Sequence, residues 1–139
     1  MCLITFAYKT HPKYRLVVAA NRDEFYERAT RSAQFWTDEK KAHILAGKDL
    51  RANGTWMGVT KTGKWSALTN YRDPSIEKSN APSRGGLALK FLDSDIAPNN
   101  YLSSLKPIAN DYNGFNILVG DSSGLYHFSN YNNLITEIE

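Results

Sequence analysis

Cys2-Leu3-Ile4-Thr5-Phe6-Ala7-Tyr8 and Tyr14-Arg15-Leu16-Val17-Val18-Ala19-Ala20, joined by Lys9-Thr10-His11-Pro12-Lys13, decide how this chain begins. Both runs are rich in aliphatic, aromatic and β-branched residues, and the link is polar with a proline, so a β-hairpin is expected. Leu16 to Ala20 shows no polar–apolar alternation, which predicts a strand covered on both faces. Cys2, the only cysteine, stands at the head of the first strand. Removal of Met1 makes Cys2 the N-terminal residue, and its own α-amine, with a pKa of about 8, then serves as general base to its thiol. A small buried apolar residue at the start of a strand is the plain alternative.

Further along, strands come first and helices later. His43 to Ala46 is expected to be a short strand ending at Gly47. Trp56 to Thr60 and Trp65 to Asn70 flank Lys61-Thr62-Gly63-Lys64 and predict a second hairpin. Asn21 to Arg31 is too irregular to assign. Tyr71 to Ser83, with prolines, serines and mixed charge, predicts a surface loop. Ser83 is the expected cap of a helix from about Gly86 to Leu92. Pro98 to Ile108 predicts a second helical segment, limited by Pro107. Phe115 to Val119 and Leu125 to Ser129 predict a third hairpin, and Leu134 to Glu139 alternates as a further strand. That order implies an α+β fold with antiparallel sheet.

At 139 residues, 42% hydrophobic and 22% charged, the chain suits a single domain of ordinary globular composition. The net charge of +3 is scattered, without a basic stripe interleaved with aromatics, which argues against nucleic acid. One cysteine allows no internal disulfide and fits a reducing cytoplasm. No apolar stretch has the length of a membrane span or the layout of a signal peptide. His11, His43 and His127 have no metal-ligand spacing, and Gly47, Gly54, Gly58, Gly63 and Gly114 suit turns and tight packing, so no metal or cofactor is expected.

Chemistry is expected just after strands. The second strand returns towards the start of the first, which brings Arg22 and Asp23 towards Cys2. Asp23 is then a partner for the amine or thiol, with Arg22 orienting the carboxylate or supporting a thiolate. An exposed Arg–Asp pair of little energetic value is the alternative. Asn70, at the end of Leu68-Thr69-Asn70, is a candidate oxyanion donor or the residue of an Asx turn.

Several blocks in order resemble the NRDE family, the family of transport and Golgi organisation protein 2. They are Met1 to Ile4, Ala20 to Arg28, Ile44 to Leu50, Gly54 to Val59, Ala67 to Arg72, Ser83 to Gly85 and Gly114 to Leu118. Lys48, Asn53 and Ala29 depart from the usual Arg, Gly and Pro. The resemblance implies an N-terminal nucleophile hydrolase-like αββα fold, two antiparallel sheets between helical layers, with residues 1–139 the N-terminal part of a longer domain. By further similarity to penicillin V acylase and bile salt hydrolase, it implies catalytic roles for Cys2, Arg22, Asp23 and Asn70. In that group the Arg and Asp are not adjacent, as they are here, and the second half supplies another Asn and Arg. Two functions follow as expectations: an N-terminal cysteine hydrolase of amide or acyl bonds in a small-molecule substrate, or a non-enzymatic binding or trafficking protein for a hydrophobic ligand such as haem or acyl lipid. Oligomeric state is left unspecified.

Overall fold

The computed structural model describes every residue except Met1 and Ile76. Its strands are β1 (Leu3–Tyr8), β2 (Leu16–Asn21), β3 (Thr30–Trp36), β4 (Lys41–Asp49), β5 (Met57–Thr60), β6 (Trp65–Asn70), β7 (Phe115–Gly120), β8 (Leu125–Ser129) and β9 (Leu134–Ile138). Two helices, α1 (Gly85–Leu92) and α2 (Pro98–Leu105), lie between β6 and β7, and a 3-10 turn, Lys106–Asp111, follows α2. Strands β3 to β9 form one antiparallel sheet in sequence order, while β1 and β2 form a separate two-stranded sheet. The fold is α+β, as the order of elements predicts.

Alternation along β6 and β7 divides the core between the two faces of the large sheet. Leu68, Phe115, Ile117 and Val119 face α1 and α2, where Leu87, Phe91, Leu92, Tyr101, Leu102 and Leu105 complete the larger cluster. Trp65, Ala67, Leu118 and Leu125 face the β1–β2 hairpin and pack against Ile4, Phe6, Tyr8, Leu16 and Val18. The described residues thus stack as helices, large sheet and hairpin.

Three local expectations need correction. Strand β2 is covered on one face only, because Leu16 and Val18 pack on the large sheet while Val17, Ala19 and Ala20 are exposed. Small and aliphatic residues on the outer face mimic a doubly covered strand in sequence. Strand β3 falls in the stretch left partly unassigned and is largely exposed, held by its pairing to β4 and by buried Trp36. An edge strand gains its order from ladder hydrogen bonds, so Arg31, Ser32 and Gln34 carry no apolar period to read. Ser83 does not cap α1: Arg84 occupies the N-cap position without a side-chain bond. Instead the Gly85 carbonyl accepts the Thr55 N–H at 3.2 Å, docking the helix start on the loop after β4. Helix α2 ends at Leu105, and Pro107 falls within the 3-10 turn.

Two residues show how closely helix α1 is fitted to the sheet. Lys64 sends its ammonium under the end of α1, donating to the carbonyls of Ser94 and Ile96 and lying 4.5 Å from the Phe91 ring centre. Burial pushes its pKa down, with Asp121 and Asp95 opposing. Gly58 leaves no room for a side chain: an added Cβ would lie 2.8 Å from both Ala46 Cβ and Leu92 Cδ1. Gly58→Ala is therefore expected to destabilise the fold by about 1–3 kcal/mol through overpacking, read as a lower urea midpoint at unchanged m-value.

Candidate active site

The N–H of Asp23 donates to the Cys2 sulfur at 3.3 Å, and the sulfur lies 3.7 Å from the Asp23 carbonyl. Antiparallel pairing produces this contact, since Leu3 lies opposite Asn21 and the chain leaving β2 passes the head of β1. Asn21 reinforces the junction by accepting the Leu3 N–H at 2.8 Å through Oδ1. Cys2 is half-buried, and both contacts of its sulfur with residue 23 are to backbone atoms.

Arg22 lies with its guanidinium 4.4 Å from the Trp56 ring centre and pairs with Glu24 at 3.7 Å. With these partners its guanidinium forms a wall beside the thiol. Asn70 is exposed at the end of β6 and lines the same cleft as Cys2, with no hydrogen bond between them. The structure therefore gathers the four predicted residues at one cleft, with direct contact shown for Cys2 and Asp23.

Glu24 also reaches Arg28 at 3.6 Å, and Arg28 donates to Asp49 Oδ2 through Nε at 3.0 Å and Nη2 at 2.6 Å. The other oxygen of Asp49 accepts the N–H groups of Arg51 and Ala52 at 3.0 and 3.4 Å. A bond from the Leu50 N–H to the Ala29 carbonyl closes the junction. The 21–29 segment is thereby fastened to the end of β4. Asn53, in the turn that follows, has φ of 56°, a left-handed conformation that Asn tolerates.

The cleft has two adjoining lobes. One, of about 640 Å³, is lined by Cys2, Arg22, Asp23, Thr55 and Trp56; the other, of about 560 Å³, is lined by Phe25, Tyr71, Arg72 and Asp73. Glu24, Arg28, Arg51, Asn70, Glu77 and Arg84 border both. A separate recess of about 50 Å³ beside Cys2 is lined by Ile4, Ala20, Trp56, Met57 and Leu68. Trp56, Arg51, Arg72 and Arg84 were not singled out from sequence. The one available signal was that all but Arg51 fall within the blocks quoted for the family resemblance.

His11 Nδ1 accepts the N–H groups of Lys13 and Tyr14 in the first turn. His43 lies 3.5 Å from Asp93, and His127 bonds Asn116 at 3.2 Å. Among the described residues no helix is long and apolar enough to cross a membrane.

A three-layer α+β protein with a thiol held at the mouth of an arginine-bordered cleft is the class that fold and site define. The sequence profile of the Transport and Golgi organisation 2 family matches residues 1–139, and the chain belongs to that family. It is 42% identical over 130 residues to the Transport and Golgi organization protein 2 homolog of Bos taurus, covering 88% of this chain and 46% of that protein. The Homo sapiens homolog is 40% identical over 130 residues, with the same two shares, 88% and 46%. The Drosophila melanogaster protein of that name is 32% identical over 133 residues, covering 85% of this chain and 45% of its own length. The chain spans about half the length of these relatives.

Burial pushes the Asp49 carboxyl up, but the Arg28 bond and the two backbone N–H groups outweigh it and hold Asp49 below the usual carboxylate range. Its folded pKa lies below the unfolded one, so its contribution is complete at neutral pH and is lost as pH falls through the folded value. Asp49→Asn is expected to cost about 1–3 kcal/mol at pH 7. In urea titrations across acidic pH, that deficit should shrink as the wild-type carboxyl becomes protonated.

Proposed function

We propose that this chain carries the nucleophile half of an N-terminal cysteine hydrolase site acting on amide or acyl bonds of a small molecule, within an N-terminal nucleophile hydrolase-like arrangement. The single observation behind this reading is the Asp23 backbone bracketing the Cys2 sulfur at the edge of a cleft that also holds Asn70. With Met1 removed, the Cys2 amine takes the thiol proton as the sulfur attacks the carbonyl carbon. The resulting tetrahedral oxyanion is stabilised by a donor such as the Asn70 amide, and collapse expels the amine or alkoxide leaving group, which takes up that proton. Water then hydrolyses the thioester to release the acid and the free thiol. Asp23 positions the sulfur through its backbone, and Arg22 stacks on Trp56 to form the adjacent wall. Met1 lies outside the described residues, so its removal is part of the proposal.

The alternative, a hydrophobic-ligand carrier for haem or acyl lipid, is less favoured by a cleft bordered by Arg, Glu, Asp and Asn side chains. The lone cysteine of residues 1–139 fits the reducing cytoplasm where this reading places the protein.

Intact mass of the protein purified from its own host should show loss of Met1. Stoichiometric iodoacetamide labelling at Cys2 should abolish turnover in a screen of small amide and acyl substrates. Asn70→Ala should lower kcat roughly 100- to 1000-fold with a smaller change in KM. Retained Met1 or turnover unaffected by Cys2→Ala sinks the reading.

A further inference from the structure

Arginines border both lobes of the cleft, and they are not equally committed. Arg28 is bound to Asp49 and Glu24, and Arg22 to Glu24 and Trp56. Arg51 and Arg72 are exposed, with no ion pair and no side-chain hydrogen bond among the described residues. Arg84 is half-buried, and its Nη1 donates to a neutral acceptor, the Gly114 carbonyl, at 3.0 Å. No carboxylate forms an ion pair with it among the described residues. Burial lowers its pKa; Glu77 opposes this, and the like charges of Arg28 and Arg72 add to it.

Such an arrangement is a guanidinium group held partly away from water with two more at its rim, and with Glu24, Asp49 and Asp73 already engaged. Glu24 and Asp49 serve Arg22 and Arg28, while Asp73 accepts the N–H and hydroxyl of Ser75. Glu27 and Glu77 are exposed on the same wall, so selectivity comes from local placement and not from net charge. The planar fork of arginine matches the oxygens of a carboxylate or phosphate, and a charge-assisted bond gains strength where water is partly excluded.

We propose that Arg51, Arg72 and Arg84 form a subsite for an anionic oxygen group, carboxylate or phosphate, on the small molecule that occupies this cleft. Placing the anion there extends the ligand from the second lobe towards Cys2, across the rim that both lobes share. The assignment of that ligand as a substrate rests on the hydrolase reading; the binding of the anion does not.

Calorimetric titration of the full chain with inorganic phosphate and, separately, with acetate at constant ionic strength tests the subsite. Saturable binding is expected for at least one anion; preference for phosphate marks a phosphate-ester ligand and preference for acetate a carboxylate. Arg84→Gln should weaken binding by about tenfold, and Arg51→Gln and Arg72→Gln by about three- to tenfold each. Lys106→Gln, outside the cleft, should leave it unchanged. If Arg84→Gln does not fold, the Arg51→Gln/Arg72→Gln double variant decides. Absence of saturable binding by both anions, or equal binding by that double variant, overturns the proposal. Cys2→Ala should bind the anion like wild type, so loss of the hydrolase reading leaves this result intact.

Discussion

The ion pair between Arg28 and Asp49 is the constraint on which the shape of the site depends. It joins the segment between β2 and β3 to the end of β4, two places separated in the chain, beside the Thr30–Asp49 pair that begins the β3–β4 ladder. Asp49 is buried and spends its second oxygen on backbone N–H groups of the next turn, so one carboxylate orders two loops. A charged pair of this kind, mostly shielded from water, is costly to leave half-made, which makes the geometry of the 21–29 segment specific. Cys2, Arg22 and Glu24 are positioned around that fastening.

The layered core makes the fastening possible. Alternating residues of β6 and β7 supply helices on one face and the hairpin on the other, so one sheet fixes both sides of the cleft. Glycine permits the close approaches this requires: at Gly54 a Cβ would stand 2.5 Å from the carbonyl carbon of Gly85, at the start of α1. The Gly114 carbonyl accepts from both the Tyr71 N–H and the Arg84 guanidinium, holding the β6 exit and the start of α1 against the loop before β7.

Much of the architecture was readable because it rests on local periodicity. The β5–β6 and β7–β8 hairpins are marked by strand-forming runs around Gly-containing turns, and α2 by the spacing of Tyr101, Leu102 and Leu105. Strand β3 was not readable, since its order comes from pairing with β4. The outer face of β2 was misread, because aliphatic residues do not reveal what covers them. The nearness of Cys2 to Asp23 was inferable from hairpin geometry alone, whereas the partners of Arg22 were not. Stacking on Trp56 depends on the position of a loop more than thirty residues away, and no local pattern encodes it.

The sequence by itself determined the α+β class, the hairpin that returns residue 23 towards Cys2, and membership of the family through ordered motif blocks. These depend on side-chain period, turn chemistry and residue identity, all short-range properties. Only the tertiary structure decided that one face of β2 is open, that Arg28 is engaged by Asp49, and that Arg51, Arg72 and Arg84 border one cleft. Those outcomes follow from long-range packing and charge pairing, whose energies are set by burial and by which loops meet.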